Sequence, residues 1–236
     1  MTRTLRWTFV ALMLCSAIVP SSALAAGKLS LYVSRMDPSD VDARRFSRTS
    51  WGGGIDAVVP LPMVHNLVAL TTGVEVSNML SHSTTVYDPI IVEDVKQSTN
   101  QSYGRFFIGG RLGPHGPGFL RPHVGANVAV VWYGISTDIE IPNANDPENP
   151  ITKNIDSNYK AAFGYDVNAG LDLNFANRIP VEAGIRHVQS FNVPQTLGEG
   201  SVSVSPSYFQ IYLGVGVSLE VFTRSRKEPK TSPEGE

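Results

Sequence analysis

The chain is 236 residues long, 42% apolar and only 17% charged, with 19 basic and 21 acidic residues and a net charge of −2. That balance offers no basic field for nucleic acid, and a single cysteine excludes a disulfide framework or a thiolate metal site. Beyond residue 26 no apolar run approaches the roughly 20 residues of a transmembrane helix; apolar residues are dispersed at short period instead.

Residues 1–26 read as a secretory signal peptide. Arg3 and Arg6 precede an apolar run from Trp7 to Val19, followed by Pro20 and small residues ending in Ala23-Leu24-Ala25, so cleavage falls after Ala25 or Ala26. The run is too short to span a bilayer. Cys15 follows the bulky Leu14 and sits inside the run, where it reads as a small hydrophobe of the discarded segment rather than a lipid attachment site. Without the leader, 17 basic residues face 21 acidic ones.

Side chains alternate between the faces of a strand, and eight segments divide by parity. Residues 28–35 align Leu29, Leu31 and Val33; residues 49–59 align Trp51, Ile55, Ala57 and Val59. Residues 67–79 set Val68, Leu70, Val74 and Val76 against Thr71, Glu75 and Ser77. In 103–113, Phe106, Ile108 and Leu112 oppose Arg105, Gly109 and Arg111, with Phe107 out of pattern. Residues 122–134 separate Val124, Val128, Val130 and Trp132 from His123, Gly125 and Asn127. Residues 163–175 separate Phe163, Tyr165, Val167, Leu171 and Phe175 from Asp166, Asn168 and Asp172. Residues 181–191 set Val181, Ala183 and Ile185 against Glu182, Gly184 and Arg186. Residues 208–222, YFQIYLGVGVSLEVF, have one wholly apolar face from Phe209 to Val221. Such lengths exceed the roughly 5–6 residues of an ordinary strand and suit a tilted bilayer crossing of about 9–11.

Connections alternate. Those at 60–66, 114–118 and 176–180 are short, whereas 36–48, 81–101, 135–158 and 193–206 are long and polar, as in a transmembrane barrel with short periplasmic turns and long outer loops. Proline, which cannot donate to a ladder, falls in connections or at strand ends. Residues 84–95 in the second long connection and 137–141 in the third also read as hairpin extensions above the membrane, which leaves open a ten-stranded count beside the expected eight. The acidic stretch 138–158 lacks the ordered spacing of a calcium loop and reads as a hydrated surface loop.

RPHVGANVAVVWYG (residues 121–134), AAFGYDVNAGLDLNF (161–175) and PVEAGIRHVQS (180–190) resemble strands of the small outer-membrane β-barrel domain family that includes the OmpA/OmpX-type barrels. The resemblance implies an all-β, eight-stranded antiparallel up-and-down transmembrane barrel over residues 27–222, monomeric and without a cofactor. It places the chain in the outer membrane of a Gram-negative bacterium, inserted from the periplasm by the barrel assembly machinery. The last strand resembles the family's C-terminal assembly signal, with Phe222 out of phase with Val221. Residues 223–236 are too short and too rich in Pro, Lys, Glu and Ser to fold, and are expected as a disordered periplasmic tail.

Parity alone also fits a lipocalin-like barrel with an apolar interior. Strand length, the glycine-rich polar face and aromatic residues near strand ends favour the membrane arrangement, with Trp51, Trp132, Tyr133, Phe175 and Phe222 expected at the bilayer interfaces. The lumen then holds Asp56, Glu75, Arg105, Arg111, Asp166, Asp172, Glu182, Arg186 and Glu220. Eight strands leave room only for side chains, so these charges must pair; Glu220 is expected to meet Lys28. Asp172 and Glu182 fall close together across the 176–180 turn, a carboxylate pair that is structural in a barrel without substrate entry. No enzyme is expected: a lipid A deacylase of this barrel type uses His-x-Ser, and neither His82-Ser83-Thr84 nor His187-Val188-Gln189 supplies it. Arg44, Arg45 and Arg48 suit lipopolysaccharide phosphates, and the expected partners are outer-membrane lipids and lipopolysaccharide. The expected role is structural, in envelope integrity or surface interaction through the outer loops, with a narrow solute channel as the alternative.

Overall fold

The computed structural model describes residues 27–61, 66–88, 93–115, 118–141, 150–175, 179–197 and 200–219. Its strands are β1 (Lys28–Pro38), β2 (Ser50–Pro60), β3 (Val68–Asp88), β4 (Glu93–Leu112), β5 (Leu120–Ile141), β6 (Ile151–Phe175), β7 (Ile179–Phe191), β8 (Val193–Leu197), β9 (Gly200–Val204) and β10 (Ser207–Ser218), with one short helix, α1 (Val41–Phe46). Strands β1 to β7 and β10 form a closed antiparallel barrel in which β10 pairs with β1 from Lys28↔Ser218 to Pro38↔Tyr208. The wall therefore has eight strands. The two additional strands, β8 and β9, form a hairpin of their own outside it.

The predicted parity sets the two surfaces. On β10, Phe209, Ile211, Leu213, Val215 and Val217 are exposed, while Tyr208, Gln210 and Tyr212 between them are buried. Around the wall, outward Leu31, Val33, Val76, Val128, Phe163 and Val167 are exposed, and the inside carries Glu75, Arg105, Asp166 and Arg186. A continuous apolar exterior around a charged interior is the reverse of a lipocalin and the arrangement of a transmembrane barrel. No helix among the described residues is long and apolar enough to cross a membrane.

Strands β1, β2, β7 and β10 have 11 to 13 residues, close to a single crossing. Strands β3, β4, β5 and β6 have 20 to 25 and continue well past their neighbours. Much of 81–101 and 135–158, expected as long connections with hairpin extension only at 84–95 and 137–141, is therefore strand. Thr, Val and Ile recur there (Thr84, Thr85, Val86, Val95, Thr99, Thr137, Ile139) and favour strands. In water neither face of a hairpin must be apolar, so the parity that marks a membrane crossing is lost. Polar cross-strand contacts hold these extensions together: Lys96 Nζ to Glu140 at 3.0 Å and Asn154 Nδ2 to Asp138 Oδ1 at 2.8 Å.

Residues 36–48 also differ from the expected loop. β1 runs to Pro38, and Asp40 then caps α1 by accepting from the Ala43 N–H at 2.6 Å. Ser47 Oγ closes the other end by donating to the Ala43 carbonyl at 2.7 Å. Residues 193–206, likewise expected as loop, contain the β8/β9 hairpin, entered through Asn192 at φ 51°, a left-handed position that asparagine tolerates better than most residues.

At the opposite end the short turns are stitched together. The Gly113 N–H donates to the Leu67 carbonyl at 2.9 Å and the His115 N–H to that of Asn66 at 3.0 Å. Partial burial, reinforced by the nearby Arg111, pushes the His115 imidazole down to about 4. The unfolded chain therefore binds this proton more readily, and folding stability should fall as pH drops from about 7.5 towards 4, then level off for this group. Imidazole NMR shifts that titrate near 6.5 in the folded protein would remove the effect.

Candidate functional site: the charged lumen

Two layers of charge and one of aromatic rings fill the barrel. In the middle layer Glu75 on β3 lies directly across from Arg105 on β4, and the Arg105 Nε donates to Glu75 Oε2 at 2.7 Å. Its Nη1 crosses the lumen to Asp166 Oδ2 on β6, also at 2.7 Å. Arg186 on β7 lies 3.5 Å from Glu75 and 3.6 Å from Asp166, so two guanidinium groups and two carboxylates form a neutral square. Glu75 also accepts from Ser34 Oγ and Gln210 Nε2, and Asp166 from the amides of Asn127 and Asn168. Each carboxylate thus has most of its lone pairs satisfied, the condition under which a buried ion pair is tolerated.

Phe107, the residue out of pattern in its strand, points inward with Arg105 and Arg111 because all three share a parity. Its ring lies 4.7 Å from the Arg105 guanidinium carbon and 5.4 Å from that of Arg186, which also sits 4.7 Å over Tyr212. The two cations are stacked on aromatic faces as well as paired.

The lower layer lies nearer the short turns. Asp172 and Glu182 are directly opposed on β6 and β7, and the Lys28 ammonium binds both, Asp172 at 2.8 Å and Glu182 through a shorter contact. Arg111 Nη2 adds a 2.7 Å bond to Glu182, and the Tyr212 hydroxyl donates to the same carboxylate at 3.2 Å. His123 lies 3.4 Å from Glu182, and Asp56 is buried close to the layer. His123, Asp172 and Glu182 offer possible metal-ligating atoms within 4.8 Å of one another. Lys28 and Arg111, however, already occupy both carboxylates, so a divalent cation there would face two fixed positive charges.

The upper layer is aromatic. Tyr103 meets Tyr133 edge-on at 5.4 Å and Tyr208 at 6.1 Å, above Phe107 and beside Met36, Ala43 and Met79. The Tyr133 hydroxyl pairs with Ser190 Oγ at 2.9 Å. Tyr133 is therefore not at the lipid interface as expected but inside the barrel, where Tyr103 and Tyr208 are buried beside it. Tyr133 follows Trp132 on one strand, and consecutive side chains must take opposite faces. Trp51 and Phe175 do face outward, 68% and 49% exposed, and Trp132 is outward and partly covered.

Of the nine residues assigned to the lumen from parity, Asp56, Glu75, Arg105, Arg111, Asp166, Asp172, Glu182 and Arg186 are all buried inside. Glu220 and Phe222 lie outside the described residues, and so does the contact expected between Glu220 and Lys28; among the described residues Lys28 binds Asp172 and Glu182. Ser34, Asn127, His123, Gln210 and Tyr212 belong to the same networks and were not singled out. The inward parity that identified the charges points to them equally.

No family model and no curated protein matches this chain. Among solved structures, Neisserial surface protein A aligns with a TM-score of 0.51 at 11% identity, covering 82% of this chain and 97% of that one. Ail, the attachment invasion locus protein of Yersinia pestis, aligns at 0.43 and 8% identity over 81% and 96%. A major outer membrane protein from Thermus thermophilus aligns at 0.46 and 10% over 81% and 98%. At such identities likeness speaks to fold alone. With eight antiparallel strands, a closed wall, an apolar exterior and a charged interior, the chain has the transmembrane barrel fold of the OmpA/OmpX type.

Proposed function

We propose that the protein is a closed, non-conducting barrel of the outer membrane that reaches the periplasm through its N-terminal signal and serves as a rigid base for an outward-projecting interaction surface. The observation that carries this reading is the middle layer. Arg105 reaches from β4 to Asp166 on β6, Arg186 completes the square from β7, and Phe107 and Tyr212 fill the space between. With the tyrosine layer above and the Lys28 layer below, a hydrated ion meets three successive obstructions. Above the wall, β3 to β6 continue as a four-stranded sheet. Among the described residues its outer strands have free edges, since β2 pairs with β3 only up to Asn78 and β7 with β6 only up to Phe163. Free edges and polar hairpins suit contact with another macromolecule.

A hydrolytic role finds no support in the wall. His187 faces outward, and the two residues directly opposite it, Val167 and Phe209, offer no hydroxyl to activate. Planar-bilayer recording tests the closed barrel directly. The wild-type protein should show no steady single-channel current, and Arg186→Ala should raise at most brief openings. Steady ohmic conductance of the wild type would establish the narrow solute channel instead.

A further inference from the structure

On the outer wall, where the apolar belt gives way to the projecting sheet, lies an open cleft of about 440 Å³, a size within the roughly 300–1,000 Å³ of small-molecule sites. One cross-strand row builds it: Trp51 pairs with Asn78, Asn78 with Ser102, Ser102 with Gly134 and Gly134 with Tyr159. Trp51 and Tyr159, 68% and 69% exposed, stand at the two ends, and the middle is small and polar. In the row beneath, Trp132 pairs with Gly104. A Cβ on Gly104 would strike the Trp132 indole, and one on Gly134 would approach the Tyr159 ring to 2.7 Å. The two glycines therefore let both rings lie down against the wall.

An aromatic girdle alone asks for rings at the interface, and it does not ask for amides and hydroxyls facing outward between them. Asn78, Ser102 and, one step higher, Asn100 are all exposed. Among the described residues the side-chain amides of Asn78 and Asn100 make no hydrogen bond, so their donors and acceptors are free. No charged side chain lines the cleft. Aromatic platforms take the C–H faces of a sugar ring, neutral amides take its hydroxyls, and the lack of Lys or Arg gives no reason for a phosphate to prefer this place. The cleft also sits where a lipid's headgroup lies when its chains pack on Val76 and the belt below. We infer that this cleft binds the uncharged saccharide headgroup of an outer-leaflet glycolipid.

Two of the chain's three tryptophans, Trp51 and Trp132, belong to the cleft, so intrinsic fluorescence reports on it. The protein is placed in phosphatidylcholine nanodiscs containing increasing fractions of a lactosyl ceramide, the parent ceramide or phosphatidylglycerol. A saturable spectral shift with the lactosyl lipid alone is expected, weakened roughly tenfold in Asn78→Leu, which removes a free amide from an exposed position. Tyr159→Leu should weaken it comparably. Heat-modifiable gel migration verifies that each variant is folded, and if one is not, the other carries the test. Equal responses to the parent ceramide would reduce the cleft to an ordinary aromatic girdle and overturn the inference. A stronger response to phosphatidylglycerol would overturn the assignment to an uncharged sugar, as would undiminished lactosyl binding in a folded variant.

Discussion

Replacing Arg105 by Met should destabilise the folded barrel by about 3–5 kcal/mol, the usual cost of removing one partner from a buried ion pair. Arg105 is completely buried and is the group that connects opposite parts of the lumen, through 2.7 Å bonds to Glu75 and to Asp166. With Met in its place the layer keeps two carboxylates and only Arg186, which lies 3.5 and 3.6 Å from them. One cation then faces two anions with no path to water. Arg105→Lys keeps the charge but not the planar fork that serves two carboxylates at once, and should lose about 1–3 kcal/mol, the range for hydrogen bonds to charged groups. Urea unfolding of the refolded protein in detergent reads both values. Combining Arg105→Met with Glu75→Gln should restore part of the loss, because the second change removes an anion that the first leaves unpaired. A cost below about 1 kcal/mol for Arg105→Met would mean that water replaces the guanidinium freely, and the closed lumen would fail with it.

Parity made most of this legible. It separated the faces of all eight wall strands, identified eight buried charges by residue and excluded an apolar ligand cavity once burial was known. It worked because the bilayer requires one face to be apolar along the whole crossing. Above the membrane that requirement ends, and the outer halves of β3 to β6, which mix polar with β-branched residues, read mainly as long polar connections. Residue type misled where parity did not. Tyr133 was assigned to the interface because tyrosine favours it, although its strand position turns it inward, and Phe107 seemed a flaw in the pattern although it is the floor beneath two arginines. Partners across the lumen were the least legible. Lys28 begins β1, and its carboxylates lie on β6 and β7, separated from it in the wall by β10. A contact made by the closure of the cylinder has no counterpart in the linear pattern.

The exterior allows an equally large test, at Leu213→Arg. Leu213 lies midway along β10, 55% exposed, with outward Val33 and Ala183 as its cross-strand neighbours. In a water-soluble barrel the change would replace an exposed apolar side chain with a charged one, and the effect would stay within about 0.5 kcal/mol. In a bilayer the same arginine sits near the midplane and should cost about 2–4 kcal/mol, whereas Phe175→Arg, at a strand end, should cost about 0–1. The ratio between the two positions matters more than either value, because depth dependence is a property of the solvent and not of the strand. Unfolding in lipid vesicles measures both against the wild type. Equal, small effects at the two sites would show that the apolar face meets water, and the membrane assignment would fall while the eight-stranded wall and its charged lumen remained.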